Sequence, residues 1–128
     1  MVGILVVAAF PAFAEEELDC TNAMAQVEMN QCAWLDFEKA DGELNAIYKK
    51  ARAATREMDK DYEGPMKGAE EALIAGQRGW VAYRDGHCEL FGWEAHGGSM
   101  EPMLVSGCMA ELTRLRTKEL KEFVDGPQ

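Results

Sequence analysis

Gln77-Arg78-Gly79-Trp80-Val81-Ala82-Tyr83-Arg84-Asp85-Gly86-His87-Cys88 decides the fold. Steps of three or four residues through Leu73, Gln77, Trp80, Arg84, Cys88 and Phe91 place all six on one face of a helix. The apolar members mark that face for burial, and an amide and a guanidinium go in with them. An unpaired buried charge or amide costs more than an apolar side chain contributes in the same place. The rest of the chain is therefore expected to bring partners to Gln77 and Arg84.

N-terminal to this stretch, Thr21 to about Met58 contains no proline and a single glycine, Gly42, while Ala33, Phe37, Ala40, Leu44, Ile47 and Ala51 recur at helical spacing. A long amphipathic helix follows, with Thr21 or Asn22 as its N-cap. Gly64-Pro65 marks a turn, and the second helix runs from about Met66 or Ala69 to Phe91, where Gly79 beside Trp80 permits close helix approach. Gly92 to Pro102 reads as a loop. Ser99 as cap and Pro102 in the first turn start a third helix, with Leu104, Cys108, Leu112, Leu115 and Phe123 as its apolar positions. The expected class is all-α, an antiparallel long-helix hairpin plus a third helix.

A turn between Met58 and Pro65 sets the register of that hairpin. Arg84 falls level with Asp41, Gln77 level with Asn45, and Cys88 near Cys32, so Asp41, Asn45, Gln77 and Arg84 form a structural polar network. Four cysteines allow three pairings. The register favours Cys32 with Cys88, which leaves Cys20 for Cys108 and ties the three helices at one end.

Residues 1–14 are uncharged, run apolar from Val2 to Phe13 and end in Ala12-Phe13-Ala14, the pattern of a removed secretory signal peptide. Their apolar run is short of the roughly 20 residues that span a bilayer. Cys20 follows Glu15-Glu16-Glu17-Leu18-Asp19, so neither a membrane anchor nor a lipid anchor is expected. Residues 15–128 suit one domain, exported to the periplasm or secreted, and an even cysteine count in such a chain implies two disulfides. The net charge of -10 excludes nucleic acid as a partner and favours a cationic protein.

Candidate chemistry is sparse. Asp41 with Arg84 has the composition of a catalytic acid and its electrostatic partner, but such pairs on facing helices are more often structural. His87, Cys88, Asp85, Glu89, Glu94 and His96 lack the tight spacing of a zinc helix, and Met100 and Met103 beside His96 read as an apolar loop before a copper site. Ser99 and Ser106, the only serines, sit in no nucleophile elbow. There is no Cys-x-x-Cys. No catalytic residue, metal or cofactor is expected. Trp80 belongs to the core, Trp34 lies off the main apolar face, and Trp93 falls in the loop, where Trp93, Glu94 and Glu101 are the candidate partner-binding residues.

Taken together, Cys20 with an eleven-residue gap to Cys32-Ala33, Ala40-Asp41-x-x-Leu44-Asn45-x-x-Tyr48, Gln77-x-x-Trp80-x-x-Tyr83-Arg84-Asp85-x-x-Cys88, Gly97-Gly98-Ser99 and Cys108 followed by Leu112-Thr113-x-x-Arg116 resemble the lysozyme inhibitor LprI-like N-terminal domain family. The resemblance spans about Cys20 to Leu120. It implies a small exported bacterial helical domain that binds protein, with a cationic lysozyme as the concrete partner. The alternative is an envelope accessory or stress-related domain with neither inhibitory nor catalytic activity.

Overall fold

A computed structural model describes residues 18–126, and the expected signal peptide at residues 1–14 lies outside them. The described residues form three helices: α1 (Gln26–Asp59), α2 (Ala69–Gly92) and α3 (Glu101–Asp125). Short 3-10 turns occupy Gly64–Met66 and Trp93–Ala95. The class is all-α, as expected.

Helix α1 begins later than Thr21 because Asp19 claims the residues that would cap it. Its carboxylate accepts the Thr21 N–H at 3.0 Å, the Thr21 hydroxyl at 2.8 Å and the Asn22 amide at 2.8 Å. The chain turns there, and the helix starts at Gln26. At its other end, Asp59 reaches across the connection and accepts the N–H groups of Gly68, Ala69 and Glu70 at 3.0, 2.9 and 3.2 Å. The last residue of α1 thus caps the start of α2. Arg52 and Arg56 of α1 both meet Glu70 in the first turn of α2 and fix the same corner.

The most extensive interface is between α1 and α3, which run parallel, with α2 antiparallel to both along their seam. Phe37, Ala40 and Ala110 form one buried cluster. Leu44, Ala51 and Leu120 form the other, with Leu73 and Trp80 against it. Small side chains at 40, 51 and 110 let the two backbones approach closely. This corrects the expected inner face of α3: Ser106, Ala110, Thr113 and Leu120 point inward, while Leu115 and Phe123 are 53% and 41% exposed. A small-residue surface on α1 selects small residues opposite it, and large ones are displaced to the flanks. Likewise Gly79 faces open space, and the close approach occurs at Gly92, where an added Cβ would lie 2.6 Å from Val105 Cγ2.

The disulfides are Cys20–Cys32 and Cys88–Cys108, not the expected Cys32–Cys88 and Cys20–Cys108. Equal height on two helices does not set the direction of a side chain. Cys32 shares an i, i+4 row with Asp36, which meets Arg114 of α3, whereas Cys88 follows the row of Arg84 into the α2–α3 seam. Cys20 lies in the turn before α1, and that turn returns it to Cys32. Both bridges are therefore local, with separations of 12 and 20 residues. In the chain-entropy account each contributes about 3 kcal/mol, and neither joins α1 to α2 or α3.

Peptide mapping without reduction is expected to yield the Cys20–Cys32 and Cys88–Cys108 pairs, and a cross-linked Cys32–Cys88 peptide would refute this connectivity. The backbone N–H groups of Gly68, Ala69 and Glu70 hold the Asp59 carboxyl below its ordinary value of 3.8. A lowered folded-state value adds stability above pH 3.8, which is lost as the pH falls through that lowered value. Asp59→Ala should therefore melt several degrees below the wild type at neutral pH, with the gap narrowing in acid. Equal melting temperatures at neutral pH would remove the cap from the account.

Candidate functional site

Two groups of residues stand out, one at the middle of the bundle and one at the end that carries the Trp93 turn. At the middle, Arg84 is 8% exposed and lies between two aromatic rings, its guanidinium carbon 5.2 Å from the Phe37 centroid and 5.0 Å from that of Trp80. Its Nε donates to Asp85 at 2.9 Å, one terminal nitrogen donates to the buried Thr113 hydroxyl at 3.4 Å, and the same nitrogen lies 3.8 Å from Asp41. All three helices meet at this guanidinium. Asp41 and Asp85 remain water-accessible, so the charge is neutralised without burying an acid.

Gln77 does not meet Asn45. It accepts a hydrogen bond from Arg116 of α3 at 2.9 Å, and Asn45 donates to Asp41 on its own helix at 3.5 Å. The reason is again α3, which occupies the seam that a two-helix register leaves empty. No buried side-chain nitrogen or oxygen among the described residues lacks a partner.

At the bundle end, Gly92 packs on Val105 and Glu101 and delivers the chain into the 3-10 turn. Trp93, 56% exposed, stacks on His96 with centroids 3.7 Å apart and planes 5° from parallel. The Glu101 carboxylate accepts the Gly97 N–H at 3.0 Å and meets His96 Nδ1 at 2.9 Å. Asn30 of α1 donates to the Ser99 carbonyl at 2.8 Å, so Ser99 anchors the loop and does not cap α3. Of the three candidate partner-binding residues, Trp93 and Glu94 face solvent, while Glu101 is engaged in bracing the loop. Among the described residues no group of three or more His, Cys, Asp or Glu is placed to hold a metal, and no helix is long and apolar enough to cross a membrane.

Charge divides sharply along the bundle, a feature that sequence periodicity cannot express. A cut just below the level where Asp41, Arg84 and Thr113 meet separates residues 18–44 and 81–115 from residues 45–80 and 116–126. The first half carries eleven carboxylates against Lys39, Arg84 and Arg114, a surplus of eight negative charges. The second carries nine against ten cations. Asp36 is held below its ordinary value chiefly by its hydrogen bond from Arg114, so it stays ionised in that field. Among the described residues, ten of the fourteen exposed large hydrophobic side chains, Trp93, Leu90 and Met100 among them, belong to the same acidic half.

The buried, aromatic setting of Arg84 separates packing from charge. Arg84→Ala is expected to cost about 3 kcal/mol in urea unfolding, since it empties the space between Phe37 and Trp80. Arg84→Met, which keeps the stem, should cost about 1 kcal/mol because Asp41 and Asp85 can rehydrate. Equal losses would assign the contribution to the ion pairs.

A family model described as lysozyme inhibitor LprI matches residues 19–120. An uncharacterized protein of Rhizobium meliloti (strain 1021) is 50% identical over 131 residues, an alignment that takes in 99% of this chain and 94% of that protein. No solved structure matches the chain. The matched span contains all three interhelical contacts of Arg84, both disulfides and the Trp93 turn, and the chain belongs to the lysozyme inhibitor LprI family.

Proposed function

We propose that this chain is an exported binding protein that blocks lysozyme-type enzymes, acting by contact and not by catalysis. The observation that carries this reading is the family match over residues 19–120. Two disulfides within that span agree with an extracytoplasmic compartment, periplasmic or secreted. Residues 1–14 are then the removed leader and residues 15–128 the working domain.

The acidic half of the bundle supplies the mechanism. A basic enzyme is drawn toward it over a distance set by screening, which speeds encounter and orients the partner before contact. Trp93 and Glu94 then dock first, because the His96 stack and the Glu101 and Asn30 hydrogen bonds hold their turn in place. A loop fixed in advance loses little entropy on binding.

Titration calorimetry of residues 15–128 with a chicken-type lysozyme, at low and at physiological salt, tests the reading alongside an activity assay. Micromolar or tighter binding, weaker at higher salt and accompanied by loss of lysozyme activity, is expected. Trp93→Ala and Glu94→Lys should each weaken it about tenfold or more. Absence of binding at both salt concentrations would remove lysozyme as the partner.

A further inference from the structure

Beside the Trp93 turn, α2 and α3 enclose an open groove of about 420 Å³ lined by residues of these two helices. His87 and Phe91 of α2 form one wall and Met103, Leu104 and Leu112 of α3 the other, with Cys108 part-buried between them and Gly107 and Glu111 exposed. Phe91 is 44% exposed, so the apolar lining faces water in the isolated chain. A single residue, Gly92, separates Phe91 from Trp93, so the groove begins next to the proposed docking turn.

We infer that this groove is the second half of the contact surface, taking an apolar side chain of a cationic protein partner while Trp93 engages beside it. The inference rests on the proposed inhibition of lysozyme-type enzymes and locates its principal apolar contact. Three features support it. The groove lies wholly in the half with a surplus of eight negative charges, and Glu111 stands at its edge, so an apolar side chain flanked by Lys or Arg is complementary in both shape and charge. A second copy of the chain would bring two such surpluses together. The Cys88–Cys108 bridge joins the two walls, which fixes the width of the groove before a partner arrives.

Gly107 allows the groove to be filled without disturbing the fold. A Cβ placed there meets nothing within 4 Å, and leucine favours a helix over glycine. Gly107→Leu is therefore expected to melt at or above the wild-type temperature and to bind chicken-type lysozyme at least tenfold more weakly. Gly107→Ala, which adds one methyl group at the rim, should bind within about twofold of the wild type. Wild-type affinity in Gly107→Leu would overturn the groove and leave inhibition standing, whereas no binding by the wild type would overturn both. Sedimentation showing a micromolar wild-type dimer that Gly107→Leu dissolves would assign the groove to a second copy and overturn the inference as well.

Discussion

The guanidinium of Arg84 is the constraint on which the bundle depends. Among the described residues it is the one charged group brought to the centre, and three helices are arranged to receive it: α1 contributes Phe37 and Asp41, α2 contributes Trp80 and Asp85, and α3 contributes Thr113. A buried cation tolerates few alternative arrangements, because any slip of register strips it of partners in a place where water cannot replace them. The apolar core is small and rich in alanine, and by itself it would accept several helix offsets. The polar centre selects one. Asp41 and Asp85 keep their outer faces in water, which makes the selection inexpensive.

How much of this was legible in the sequence follows from which forces act locally. The stripe from Leu73 to Cys88 reports its own burial because helical spacing is a property of the chain alone, although its sixth member, Phe91, is 44% exposed, and the level of Asp41 with Arg84 followed from one turn and one rise per residue. The inner face of α3 was hidden because Ser106, Ala110 and Thr113 look polar or neutral to a hydropathy pattern and become core only opposite Ala40 and Ala51. Gln77 was matched to the wrong partner for the same reason: the third helix supplies Arg116, and no two-helix arithmetic contains it. Asp59 illustrates a subtler case. A carboxylate at the end of one helix carries no local sequence mark of its role, yet it is the cap of the next.

The candidate site was legible in part. Trp93 and Glu94 lie in a loop that glycine spacing marks plainly, whereas Glu101 proved to be occupied by His96 and the Gly97 N–H. The division of charge into an acidic and a nearly balanced half arises from three segments that fold to the same level. Composition reports the total and says nothing of its placement. Such polarity gives the molecule a direction, so that a basic partner meets one end of the bundle preferentially.

The local disulfides have a consequence for biogenesis. Cys20 pairs with the next cysteine in the chain, and Cys88 pairs with the next after that. A chain threaded through a membrane N-terminus first presents its thiols in that same order, and the first bridge can close while the later cysteines are still inside an oxidant-free compartment. Pairing in chain order of this kind leaves fewer wrong partners available to each thiol at the moment it emerges. The same arrangement leaves the α1 segment and the α2–α3 hairpin without a disulfide between them, so that apart from the backbone of the Asp59 corner only non-covalent packing, centred on Arg84, joins one to the other.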